Sequence, residues 1–199
     1  MPTSATLREV SGLPTAPAGF GASALIVIDA QNTYRTGPMA LEGVDAALAE
    51  TARLLDRARA AGAPVIHVVH DGGAGSPYDL TAESGRICAA VAPLEGERVV
   101  VKNFPNSFHR TDLAEALEGL GRQDLVLAGF MTHMCVNYTA QGAFNRGYRS
   151  TVVAAATATR TLAAPDGAPL PAADLQRAAL TGIGDLFALV VPDADAVPE

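Results

Sequence analysis

The sequence predicts an α/β fold, three layers in which helices cover both faces of a mostly parallel, six-stranded sheet. Three observations predict it. Short apolar runs rich in β-branched residues recur near positions 24–28, 65–69, 99–101, 125–127, 151–155 and 188–191. Stretches with apolar residues at helical spacing lie between most of them. Strands alternating with helices close into a parallel sheet with right-handed crossovers. The 199 residues carry no internal repeat and no long linker, and they suit one domain large enough to bury a core.

Residues 1–22 are rich in Pro, Ala, Ser, Thr and Gly and predict an irregular N-terminal arm, either mobile or packed on a neighbouring subunit, ahead of one domain over 23–199. Ala24 to Ile28 is a continuous apolar run, as in a strand buried on both faces, and it stops at Asp29. Val44 to Ala61 has helical periodicity closed by Gly62. Val65 to Val69 forms the second strand and ends at His70, before a Gly-rich loop over 71–79. A short helix is expected over Ala82 to Val91. Val99 to Val101 is the third strand and ends in Lys102; after the loop NFPNSFHR, Thr111 caps a helix running to Leu120. Leu125 to Leu127 is the fourth strand. A helix then starts near Cys135, with Val136, Thr139, Ala140, Ala143 and Phe144 on one face and Gly147 as its stop. Thr151 to Ala155, a helix over Ala172 to Leu186, and Ala188 to Val191 complete the pattern.

Composition excludes several classes. With 14 Lys and Arg against 21 Asp and Glu, the net charge is −7, and no basic patch marks a nucleic-acid binder. No apolar run approaches the roughly 18 residues of a membrane span. The N-terminus lacks the basic and apolar segments of a signal peptide. Two cysteines far apart make no disulfide framework and fit a reducing, cytoplasmic setting.

Parallel sheets bind ligands at the carboxyl ends of their strands. There the sequence places Asp29 after the first strand, Lys102 after the third and Cys135 after the fourth. A thiol at a helix start is expected to ionise more easily than a free one, although most free cysteines are small buried hydrophobes. A carboxylate can take the thiol proton and a lysine can stabilise the thiolate. Such a thiolate attacks an acyl carbon to give a thioester that water hydrolyses, with no metal or cofactor.

These residues lie in the blocks IVIDAQNTY, VVVKNFPNSF and AGFMTHMCVNYTAQGAFNRGY, which resemble the signature blocks of the isochorismatase-like cysteine hydrolases. That family includes nicotinamidases, N-carbamoyl amide hydrolases and streptothricin hydrolase. The resemblance spans about Ala24 to Val191 and implies a catalytic triad of Asp29, Lys102 and Cys135. It also implies a cis peptide between Phe130 and Met131, an oxyanion hole built from the backbone N–H groups of Met131 and Cys135, and a homo-oligomer, dimeric or higher. The expected activity is cleavage of a C–N bond in a small molecule. The alternatives are vinyl-ether hydrolysis with Asp29 as the acid, a redox-sensing thiol and a non-catalytic scaffold.

Nicotinamidases carry a metal-binding Asp-x-His and further histidines after the second strand; HDGGAGSPYDL holds no such cluster, so no metal is expected. Around the triad, Gln31 either positions substrate or ties the loop to backbone. Tyr34, His70, Phe104 and Phe130 are candidates for the pocket wall, the aromatics equally for core packing. His67 is expected to be structural, His133 to face solvent, Thr132 to bond backbone, and Cys88 to be inert filling.

Overall fold

The protein, seen in a computed structural model, is described over residues 4–199. In chain order the elements are α1 (Leu7–Val10), β1 (Ser23–Ile28), α2 (Val44–Ala60), β2 (Val65–His70), β3 (Arg98–Lys102), α3 (Leu113–Leu120) and β4 (Asp124–Phe130). They continue with α4 (Asn137–Phe144), β5 (Arg149–Ala158), a small hairpin β6 (Leu162–Ala163) and β7 (Pro169–Leu170), α5 (Ala172–Leu186) and β8 (Ala188–Val191). Six strands form one parallel sheet in the order β3-β2-β1-β4-β5-β8. β1 is thus the strand from which the chain winds outward in both directions, first through β2 and β3, then through β4, β5 and β8.

All six residues of β1 are buried, and alternate side chains feed two different cores. Leu25 and Val27 pack with Val126, Ala128 and the α2 residues Leu54, Leu55 and Ala58. Ala24, Ile26 and Ile28 pack on the opposite face with Leu113 and Leu117 of α3, Ala140 and Ala143 of α4, and Ile183 of α5. Each buried Leu or Ile side chain contributes roughly 1.5–3 kcal/mol relative to exposure.

Several expectations are corrected. The segment over 82–91 forms two 3-10 turns, Glu83–Gly85 and Ala89–Val91, rather than a helix. An antiparallel bridge from Ile87 to Gln31 and the bond of Cys88 N–H to the Ala30 carbonyl commit its backbone elsewhere. The helix expected from Thr111 begins at Leu113; the Thr111 hydroxyl accepts from the Leu113 N–H at 3.4 Å while donating to the Ser107 carbonyl, and Asp112 pairs with Arg98. β5 runs three residues beyond Ala155, because its ladder with β4 is interrupted by a register shift between Leu127 and Gly129 and resumes at Thr157. The arm holds a helical turn, α1, with a capping box between Thr6 and Glu9. It lies against α5 of its own chain, through Leu7 N–H to Asp185 and Arg8 to the Leu186 carbonyl. Residues 1–3 of the expected arm lie outside the described residues. No helix among the described residues is long and apolar enough to cross a membrane.

The pairing of β1 with β4 ends at Ile28 and Gly129. Gly129 has φ of +119°, and a Cβ there would collide with the backbone carbonyl of Ile28. Gly129→Ala is therefore expected to lower stability by about 3 kcal/mol or more, measured by chemical denaturation. A change below about 1 kcal/mol would mean that the two strands part without penalty.

Candidate active site

Three strand ends converge on one edge of the sheet. β1 ends and the chain turns at Asp29, whose φ of +50° is unusual for a non-glycine residue. Its N–H bonds the Val68 carbonyl, and its own carbonyl accepts from Gln31 N–H at 2.7 Å, which fixes the strained turn. β3 ends in Lys102, the only lysine of the chain. After β4 comes a cis peptide between Phe130 and Met131, then a π-helical turn over Thr132–Val136 that contains Cys135. Cys135 thus lies inside this wide turn, ahead of α4, rather than at the first turn of an α-helix as the sequence suggested.

Lys102 joins the three groups. Its Nζ donates to Asp29 Oδ2 at 2.6 Å and to Cys135 Sγ at 3.4 Å, and lies 3.2 Å from His70 Nδ1. An ammonium has three protons, and here each has an acceptor, with His70 in the tautomer that leaves Nδ1 free to accept. Asp29 and Lys102 are fully buried and Cys135 is 5% exposed. Asp29 Oδ1 is buried with no hydrogen-bond partner, the one free acceptor in the cluster.

Burial dominates the electrostatics. It raises the Asp29 carboxyl above its ordinary value, against the pull of the Lys102 charge and hydrogen bond and of the Cys135 thiol. Burial, with the negative charge of Asp29, pushes the Cys135 thiol up to about 12, and Lys102 only partly offsets this. Burial thus acts against the easily ionised thiol expected from sequence and favours the neutral form. His70 is lowered by burial and by the Lys102 charge, which keeps its imidazole neutral.

The remaining candidates separate clearly. Gln31 is fully buried, and its amide donates to the carbonyls of His70 and Gly85 while accepting from His70 N–H, the loop tie that is one of the two roles its place in the sequence allows. Phe104 is 39% exposed and packs against His109 and beneath Arg110. Tyr34 and Phe130 are buried and meet edge to face. Burial and the nearby Asp29 and Cys135 raise the Tyr34 phenol well above its ordinary value. Thr132 donates to the Ala158 carbonyl, and His67 pairs with Glu97. Cys88 is buried filling. His133 is half-buried rather than solvent-facing, with Nδ1 2.6 Å from the Thr159 hydroxyl.

Two residues that the sequence did not single out join the site. Tyr78 reaches back from the loop after β2 to pack on the rings of His70 and Tyr34. Arg160 lies just beyond β5, where its charge reaches both Tyr78 and His133. Continuing the fifth strand to Ala158 would have put Arg160 on the same sheet edge as Asp29. Tyr78 has no comparable signal. Among the described residues no group of three or more His, Cys, Asp or Glu side chains could hold a metal ion.

Comparison with known proteins follows the same outline. A family model described as the isochorismatase domain matches residues 23–193. A secreted isochorismatase effector of Verticillium dahliae is 36% identical over 96% of this chain and 98% of its own. A streptothricin hydrolase of Streptomyces noursei is 37% identical over 93% of this chain and 74% of its own. The crystal structure of an isochorismatase from Pseudomonas putida superposes with a TM-score of 0.93, at 42% identity, over 99% of this chain and 100% of that one.

The raised thiol has a measurable consequence. An ordinary thiol titrates near 9.0, so between there and about 12 the unfolded chain gives up a proton that the folded protein keeps. The associated stability is intact below pH 9 and is lost as the pH rises toward 12. Alkylation of Cys135 by iodoacetamide, followed by mass spectrometry of its peptide, should be at least about 100-fold slower at pH 8 in the folded protein than in the denatured one. Its rate should still be climbing at pH 10. A plateau below pH 8 would show an already ionised thiolate.

Proposed function

The chain belongs to the isochorismatase family, and on that premise we propose that it is a cysteine hydrolase that cleaves a C–N bond of a small molecule through a thioester. One observation carries the reading: a single ammonium, Lys102 Nζ, bridges a buried carboxylate at 2.6 Å and a buried thiol at 3.4 Å. The streptothricin hydrolase relative supports hydrolytic use of such a site. In this reading one hydrolase domain occupies residues 23–199, preceded by an arm over 1–22.

The chemistry follows from the resting charges. With the thiol near 12, a fraction of roughly 10⁻⁵ is ionised at pH 7, so the thiolate forms only by proton transfer as substrate binds. Asp29 Oδ1 is the acceptor, being free while Oδ2 is held by Lys102. The ammonium then neutralises the thiolate rather than the carboxylate. Sγ attacks the carbonyl carbon and the C=O electrons move to oxygen, where the backbone N–H groups of Met131 and Cys135 serve as donors. Collapse of this adduct expels the amine, which takes the proton from Asp29. The resulting thioester is attacked by a water that Asp29 deprotonates, which releases the acid and returns the proton to the thiol. The buried Tyr34 and Phe130 and the half-buried His70 wall the site and shield the ion pair from bulk water.

A second reading is favoured by the names of the Verticillium and Pseudomonas relatives: hydrolysis of a vinyl ether with Asp29 as proton donor and no covalent bond to sulfur. The two readings part at Cys135. Cys135→Ala is expected to lower ammonia release from an amide panel by at least about 10³-fold. Intact-mass measurement during turnover should detect the acylated wild-type chain and no adduct on the variant. If Cys135→Ala instead hydrolyses isochorismate at close to the wild-type rate while Asp29→Asn does not, the vinyl-ether reading replaces the amide one.

A further inference from the structure

His70 is tied to the site more closely than a residue of the wall needs to be. It closes β2, and it is the ladder partner of Lys102 at the end of β3. The Gln31 side chain clasps its backbone on both sides, accepting from the His70 N–H at 3.0 Å and donating to its carbonyl at 2.9 Å. The ends of β2 and β3 are joined once more beyond it. Asp71 N–H donates to the Lys102 carbonyl, and the Asn103 amide donates to the Asp71 carbonyl. Tyr78 meets the imidazole edge to face, with ring centroids 4.9 Å apart. Together these contacts fix one atom, His70 Nδ1, at 3.2 Å from Lys102 Nζ.

An ammonium carries three protons, and in a buried site each needs an acceptor. Two of the Lys102 protons go to Asp29 Oδ2 and Cys135 Sγ. The third has a second acceptor within the same carboxylate, because Asp29 Oδ1 is buried and without a partner. It goes to His70 instead. An imidazole that accepts at Nδ1 must be neutral, since an imidazolium donates from both nitrogens. The groups around the ring decide its charge. Burial and the Lys102 ammonium favour the neutral form, while Asp29 and Asp71 favour the charged one. Tyr78, whose phenol is raised above its ordinary value, faces the ring uncharged. The first two prevail and hold His70 below its ordinary 6.5. A proton on the ring has two effects on the triad. It removes the third acceptor of Lys102, and its charge makes Asp29 a weaker base.

We propose that His70 is a positioning residue and the acid-side switch of the enzyme: its Nδ1 holds the third proton of Lys102, which keeps Asp29 Oδ1 free to accept the proton of Cys135. This rests on the hydrolase reading of the same site and adds its regulation by pH. His70 touches no reacting atom and acts through Lys102. In acid the imidazole takes a proton from solvent and Nζ loses an acceptor. The released N–H of Lys102 then turns to Oδ1, the base is capped, and turnover stops. The ring returns its proton to solvent as the pH rises, and Oδ1 is free again.

The test compares two substitutions. His70→Asn puts an amide oxygen in the place of Nδ1, an acceptor that does not titrate, whereas His70→Leu fills similar space and accepts nothing. The assay is ammonia release from acetamide, malonamide and succinamide. His70→Leu should lower kcat by about 30-fold or more while KM changes by less than about threefold. His70→Asn should recover most of that loss, and its acid limb should lie at least about one pH unit below that of the wild type. Thermal melting checks that both variants fold. Nuclear magnetic resonance reads the contact in the wild-type protein without a substrate. Lys102 is the only lysine, so isotopic labelling of lysine nitrogen gives one side-chain signal. At neutral pH His70 Nδ1 should carry no proton, and the Nζ signal should shift with the same midpoint as the His70 ring, below 6.5. Those spectra without ammonia release from any of the amides would sink the hydrolase reading and leave the hold of His70 on Lys102 standing. An Asn variant no better than the Leu variant, an acid limb that His70→Asn leaves in place, or an Nζ signal blind to the titration of His70 would overturn the proposal.

Discussion

The buried pair of Asp29 and Lys102 is the constraint to which the rest of the molecule answers. Removing two charges from water costs several kcal/mol for each ion, and a contact at 2.6 Å offsets this only when the remaining donors and acceptors are also met. The ammonium meets them by bonding the carboxylate, the imidazole and the thiol together. The carboxylate does not, since Oδ1 is left open. A pair of this kind adds little to stability. Its value in the proposed reaction is chemical, because there the open oxygen takes the proton of the neighbouring thiol.

The sheet supplies the rigidity that such a pair needs. Asp29, Lys102 and Cys135 come from three strands, and their spacing is set by ladders with β1 at the centre. The contact of Ile28 with Gly129 draws the end of β4 against the end of β1, which brings the Cys135 turn over Asp29. Gln31 then ties the loop after β1 to the end of β2 and to Gly85, so that His70 and Lys102 keep their register. No helix contributes a side chain to the ion pair. The helices serve by burying both faces of the sheet.

Much of this was legible in the sequence, for identifiable reasons. Strands buried on both faces are continuous apolar runs, so a polar residue that ends one stands out, as Asp29 and Lys102 do. α2, α5 and β8 were likewise readable from periodicity. The 82–91 segment was not, because its composition permits a helix that bonds to Gln31 and Ala30 override. Nor was the thiol's state legible, since a helix start and full burial push its ionisation in opposite directions and only the packing decides between them. Gln31 shows the same limit from the other side: the sequence allows it either of two roles, and the backbone bonds it makes at His70 and Gly85 are seen only in the packed structure. Arg160 was hidden by the interruption of the β4–β5 ladder, which shifts its place along the edge by several residues.

That the chain has one lysine, sealed in its interior, gives the protein an unusual surface chemistry. Every outward-facing cation on a side chain is an arginine or a histidine. Amine-directed acylating reagents and bifunctional crosslinkers therefore find no side-chain target on the closed molecule. Modification of Lys102 becomes a clock for the breathing of the core, because it can occur only when the sheet edge parts and the carboxylate lets go.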